Sequence, residues 1–259
     1  MEVIVHGQPA FVATGGAAFD PTRPVLLLVH GAGMDHSAWA QQSRALAHSG
    51  FAVLAPDLPG HGRSGGEPLT TVPLIAQWLA ALLDGLGVGR AIVAGHSLGG
   101  LVALHLAAHY PERVNRLFLL AAAAALPVHP DLLAAARDDL PKAAAMIVGW
   151  GFAHTLAPSP VPGVSPSESG RALLLRSRPG SLHAGLAACA GYEDGVQAEA
   201  LVRAPVTLIH GTLDRMAPLK AGRVLAQSLP QGKLVEIPGA GHMVQMESPG
   251  AVLAVLAKG

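Results

Sequence analysis

Short apolar runs alternate along this chain with longer alanine- and leucine-rich segments, and clusters of turn residues separate the two. The short runs read as strands and the longer segments, with their three- and four-residue spacing, as helices. The pattern predicts strands near 2–6 and 10–14, then at Val25–Val29, Ala52–Ala55, Ala91–Ala94, Arg116–Leu120, Val206–Ile209 and Leu234–Ile237. Helices are expected near 37–49, 71–86, 98–109, 219–228 and 247–257. A strand-helix alternation of this kind implies the α/β class, a parallel sheet covered by helices.

The rhythm breaks between about Ala122 and Ala204, where no strand-like run occurs and Pro158, Pro160, Pro162 and Pro166 crowd a serine-glycine stretch. This predicts an insertion, helical with an irregular loop in it. The chain then divides into a core of residues 1–121 and 205–259 and an insertion of residues 122–204.

Composition narrows the partners. Apolar residues make up 51% of the chain and charged ones 13%, against roughly 25% charged in an average globular protein. Net charge is zero and the basic residues are scattered, so nucleic acid and anionic membrane surfaces are not expected partners. The apolar stretch Leu117–Leu126 stops at Pro127, short of the ~18 residues that suggest a membrane span. Met1–Gly7 lacks a basic segment followed by an apolar one, and a cytoplasmic location is the expectation. The single cysteine, Cys189, allows no internal disulfide and reads as a small buried apolar residue.

One short stretch does not fit a purely structural reading. Gly95-His96-Ser97-Leu98-Gly99 follows an apolar strand and precedes a helix, and glycine in an ordered element loses backbone entropy and adds no packing. A strand that feeds a helix through so sharp a turn strains its central residue and needs its neighbours free of side chains. Ser97 is thereby expected above the carboxyl edge of the sheet, with a helix amino end beneath it that suits an oxyanion. A serine hydroxyl needs a base, and the base an orienting acid. Of the 13 histidines, His242 follows the last strand in a glycine-rich turn, and Asp214 follows the strand before it. Both are expected at the same sheet edge as Ser97.

Taken in order, Val29-His30-Gly31-Ala32-Gly33, Asp57-Leu58-Pro59-Gly60-His61-Gly62-Arg63-Ser64, Gly95-His96-Ser97-Leu98-Gly99-Gly100, Gly211-Thr212-Leu213-Asp214-Arg215-Met216-Ala217-Pro218 and Pro238-Gly239-Ala240-Gly241-His242 resemble the signatures of the α/β-hydrolase superfamily. The resemblance covers about 25–120 and 203–258. It implies an eight-stranded, mostly parallel sheet flanked by helices, with a helical lid inserted after the sixth strand. It implies Ser97 as nucleophile, His242 as general base and Asp214 as its orienting acid. The oxyanion hole implied is the backbone N–H of Leu98 with that of Ala32, Gly33 being the close rival; removing one such donor from a serine protease costs roughly 3–4 kcal/mol.

Other residues have plainer readings. Asp57 also ends a strand, but its setting suggests a carboxylate that bonds local backbone N–H groups, with His61 and Arg63 as turn residues. His105, His109 and Glu112 have metal-like spacing without the glutamate of a metalloprotease motif, and read as core or edge residues. His96 is assigned no chemistry, and His30 reads as a loop-stabilising hydrogen bonder. Arg171, Arg176 and Arg178 read as solvated helix-face residues. The expected substrate pocket takes in Gly33, His36, Trp150, Phe152 and Met243, with Leu156 and Val244 as further wall residues.

The function expected is a serine hydrolase of small, fairly apolar carboxylic esters acting through an acyl-enzyme, with a small-molecule substrate and no metal or organic cofactor. A carbon-carbon bond hydrolase of a ring-fission product is the second enzyme reading, and Met34-Asp35-His36-Ser37 departs from the loop such relatives carry. A ligand receptor with vestigial hydrolysis is the reading from another class. Monomer and homodimer both fit the low charge.

Overall fold

The computed structural model describes residues 1–153, 163–229 and 231–258. Eight strands form one sheet: β1 (Glu2–Val5), β2 (Gln8–Ala13), β3 (Val25–Val29), β4 (Ala52–Pro56), β5 (Ala91–His96), β6 (Val114–Leu120), β7 (Val206–Gly211) and β8 (Gly232–Ile237). Their spatial order is β1-β2-β4-β3-β5-β6-β7-β8. β2 pairs antiparallel with β1 and β4, and every pairing from β4 to β8 is parallel. The expected mostly parallel sheet is what the chain builds.

Parallel strands covered on both faces have to be apolar on both, and β3 (Val-Leu-Leu-Leu-Val) and β4 (Ala-Val-Leu-Ala-Pro) are buried at every position. Successive side chains alternate between two cores. Leu27, Val29, Leu54 and Val93 join α2 (Val72–Gly85), α3 (Leu98–His109) and α9 (Leu219–Ser228) on one face. Leu26, Leu28, Val53 and Ala94 join α1 (Ala40–His48) and α11 (Pro249–Leu256) on the other. α3 is apolar all round, buried from Leu98 to Ala108, because it lies in the molecule's centre.

Between β6 and β7 the chain forms α4 (Pro130–Asp138), α5 (Leu140–Gly151), α6 (Pro166–Leu175), α7 (Ser181–Ala190) and α8 (Gly195–Leu201). Pro158, Pro160, Pro162 and Leu156 lie outside the described residues. Pro166 corrects the expectation of an irregular stretch. It opens α6 at a position where the missing N–H is harmless, and the Ser165 side chain caps the Glu168 N–H at 3.3 Å. The helix expected near 247–257 is present as α11. A short separate turn, α10 (Val244–Glu247), precedes it, because Pro249 cannot donate into a continuous helix and Ser248 before it departs from helical geometry with φ −135° and ψ 58°. Among the described residues no helix is long and apolar enough to cross a membrane.

Candidate active site

Ser97 stands between β5 and α3 with φ 54° and ψ −117°, a backbone conformation that L-residues other than glycine rarely adopt. The flanking glycines permit it sterically. A Cβ on Gly95 would lie 2.0 Å from the Gly99 carbonyl oxygen, and one on Gly99 would lie 2.3 Å from that of Val29.

His242 and Asp214 come to this serine from loops after β8 and β7. Ser97 Oγ donates to His242 Nε2 at 2.9 Å, and His242 Nδ1–H donates to Asp214 Oδ2 at 3.0 Å and Oδ1 at 3.2 Å. Asp214 Oδ1 also accepts the Met216 N–H at 2.9 Å and the Ala217 N–H at 2.8 Å. Burial alone would raise the Asp214 pKa, but the charge and hydrogen bond of His242 with the Ala217 amide hold it below the usual carboxylate value. Asp214 and His242 are buried, and Ser97 is partly open.

The candidate oxyanion donors lie beside the serine hydroxyl's loop. Leu98 is the first residue of α3, where an N–H has no intrahelical partner. In the loop after β3, Met34 N–H donates to Gly31 O, and among the described residues no such bond takes the Ala32 N–H. α7 lies directly over both: a Cβ on Gly185 would lie 2.8 Å from Ala32 Cβ and 3.1 Å from Leu98 Cδ2.

A cavity of about 310 Å³ opens on Ser97 and His242, with Leu126, Val128, Leu132, Trp150, Leu186 and Met216 in its wall. Of the five residues expected to line the pocket, Trp150 does so. The other four are corrections. Gly33 is covered by Leu182, His36 Nδ1 is taken by Asp57 Oδ1 at 2.8 Å, Phe152 is packed under Gly170, and Met243 is turned into the core. Val244 is buried in the core as well. Cys189 is buried, its thiol pushed up to about 12 by burial, and it also reaches the cavity wall, which its sequence setting did not suggest.

Asp57 behaves as its turn setting implies, accepting the His36 and Arg63 N–H groups at 2.7 and 2.8 Å. His30 accepts the Leu58 N–H at 3.1 Å. Asp35, His36 and Asp57 are the one grouping with metal-like spacing among the described residues. Their donors already serve the fold: Asp35 holds the Arg176 guanidinium at 2.9 Å, which supplies the positive charge there. His105 Nδ1 lies 3.2 Å from the Tyr192 hydroxyl, inside the core. Arg171, Arg176 and Arg178 are exposed, as expected of solvated residues, and Arg176 and Arg178 in addition tie the insertion to core loops through Asp35 and Ser64 O; Arg171 pairs locally with Glu168 at 3.8 Å.

The sequence reading missed the groups that hold the histidine loop. His96 Nε2–H donates to His242 O at 3.0 Å, and burial pushes this imidazole down to about 3. His210, buried, donates to Ala217 O at 2.5 Å and lies 3.5 Å from Asp214 Oδ2. Glu247 accepts Gly241 N–H at 2.9 Å and Ala153 N–H at 2.8 Å, and Gly151 O accepts the His242 N–H at 2.7 Å. The end of α5 is thereby fastened to the loop that carries His242. Nothing in local composition signals contacts between segments so far apart in the chain.

The model of the family described as "Alpha/beta hydrolase family" matches residues 26–255. A pimeloyl-[acyl-carrier protein] methyl ester esterase of Aromatoleum aromaticum is 36% identical over 88% of this chain and 94% of its own length. A protein of the same name from Chromobacterium violaceum is 34% identical over 85% and 87%. A solved thermophilic esterase from Thermogutta terrifontis superposes with a TM-score of 0.86 at 26% identity, covering 100% of this chain and 96% of that one.

Proposed function

The chain belongs to the alpha/beta hydrolase family and is a hydrolase of ester bonds, and from that premise we propose that it cleaves small, largely apolar carboxylic esters through an acyl-enzyme on Ser97. One observation carries this reading: the unbroken hydrogen-bond chain from Ser97 through His242 to Asp214, open on an apolar cavity.

In the first step Ser97 Oγ attacks the ester carbonyl while His242 Nε2 takes its proton. The imidazolium so formed is stabilised by the Asp214 carboxylate, whose depressed pKa keeps it charged. The N–H groups of Leu98 and Ala32 receive the oxyanion. As the tetrahedral species collapses, the C–O bond breaks and His242 returns the proton to the leaving alcohol. Water, deprotonated by the same imidazole, then attacks the acyl-serine and releases the acid.

The insertion of residues 122–204 serves in this reading as a lid whose α4, α5 and α7 shape the acyl site. The relatives named as methyl ester esterases support a small alcohol and a larger acyl group. The test is hydrolysis of p-nitrophenyl butyrate and labelling by an organophosphonate. Wild type is expected to turn over and to be modified at Ser97. Turnover that persists in Ser97→Ala, or a phosphonate that leaves Ser97 untouched, refutes the hydrolase reading and favours a ligand receptor.

A further inference from the structure

The apolar cavity beside Ser97 is not apolar throughout. Besides Ser97 and His242, two lining residues carry donors that can face an anion: His129 and Arg215.

Arg215 is held in place by the end of α5. Its Nη2 donates to Gly149 O and, at 3.1 Å, to Phe152 O, so the guanidinium is fixed at the cavity by carbonyls, which do not neutralise it. Among the described residues no carboxylate pairs with it, whereas Arg113, Arg137, Arg176 and Arg223 each lie within 2.9 Å of one. Its neighbour Asp214 is engaged by His242 and two amides. Two carbonyls account for one terminal nitrogen of five N–H donors, and the planar fork that suits a carboxylate is left over.

His129 sits on the same wall. Its Nδ1 accepts the Asp131 N–H at 3.2 Å, which puts the proton on Nε2 and makes that atom a donor. Asp131 Oδ2 lies 3.8 Å from Nδ1, on the side away from that donor. The ring edge rests on Trp150, 5.8 Å between centroids, so the indole wall and this donor are contiguous.

A purely apolar ester gains nothing from a fixed cation in its pocket. An acyl chain with an apolar spacer and an anionic end matches both parts. We propose that Arg215, assisted by His129, is a specificity-determining group for acyl chains that end in a carboxylate, so that the preferred substrates are half-esters of straight dicarboxylic acids. This rests on the esterase reading above and narrows its substrate class.

The test compares p-nitrophenyl hexanoate with mono-p-nitrophenyl adipate, and p-nitrophenyl octanoate with mono-p-nitrophenyl suberate, on the wild-type chain. At low ionic strength kcat/KM is expected to favour the half-ester of at least one pair by about tenfold, the worth of a charged hydrogen bond. The ratio is expected to shrink as salt is raised, since the guanidinium is exposed. It should fall to near one in Arg215→Met and stay above one in Arg215→Lys. Wild type that favours the neutral ester at both lengths overturns the proposal whether or not the variants fold, as does a preference that survives Arg215→Met. If no ester of either kind is turned over and phosphonate leaves Ser97 unlabelled, it is the hydrolase reading that fails.

Discussion

At the scale of single residues, the strained backbone of Ser97 makes a prediction independent of chemistry. Positive φ at a residue with a Cβ costs on the order of 1–3 kcal/mol, whereas glycine occupies that region without penalty. Replacing alanine by glycine at an ordered position normally destabilises; here Ser97→Gly is expected to be about 1 kcal/mol more stable than Ser97→Ala in urea unfolding, both being inactive. The opposite order would mean that the turn is relaxed. Asp214→Asn leaves the hydrogen-bond geometry but favours the wrong imidazole tautomer. It is expected to lower kcat by about 10³–10⁴-fold, judged from the same change in a serine protease. Glu247 touches no substrate, yet its two oxygens join the Gly241 and Ala153 N–H groups across the His242 loop. Its pKa is raised by burial, so the carboxylate resides there for those bonds. Steady-state kinetics of Glu247→Gln should show kcat down about tenfold with KM within about threefold, and Glu247→Ala a larger fall. An Ala variant with wild-type kcat removes Glu247 from the positioning of His242.

At the scale of elements, α7 shows how a helix from the insertion bears on the oxyanion loop. A glycine-to-alanine change inside a helix ordinarily gains roughly 0.5–1 kcal/mol. In Gly185→Ala the new methyl meets Ala32 Cβ at 2.8 Å, closer than two carbons pack, so the helix or the loop has to shift. Turnover of p-nitrophenyl butyrate is expected to fall about tenfold. Adding Ala32→Gly removes the opposing methyl and should restore part of it. Unchanged activity in Gly185→Ala would show that α7 does not set the loop. Element positions were legible where local chemistry decides them: β3, β5, α3 and α9 lie where their apolar runs and turns place them. The segment around Pro166 was misread because a proline reads as a breaker until its serine cap is recognised three residues ahead of Glu168. The late helix was legible from its apolar run, and α11 lies within the bounds expected for it.

At the scale of the whole molecule, buried histidines make stability depend on pH. Burial pushes His96 down to about 3 and His61 down to about 4, against about 6.5 in an unfolded chain. Between those values and 6.5 the unfolded state binds protons that the folded state refuses, so stability falls as pH drops below about 6.5. Each histidine contributes a slope of about 1.4 kcal/mol per pH unit within its window. Urea midpoints at pH 7, 6 and 5 should decline, and His61→Gln should flatten the decline by about one proton's worth; equal midpoints across that range would contradict the neutral burial of these rings. The chain's own sequence determined the class of fold, the sharp turn at Ser97 and the order of serine, acid and histidine, because strand periodicity and glycine spacing are local properties that survive without neighbours. Tertiary structure alone decided what surrounds them. Glu247, His96 and His210 hold the histidine loop, the exposed Arg176 and Arg178 reach across to core loops, His36 is claimed by Asp57, and Arg215 meets the cavity beside Trp150. Each of those outcomes depends on which atoms a distant segment brings within hydrogen-bond range, and the physics of a single stretch of chain contains no information about that distance.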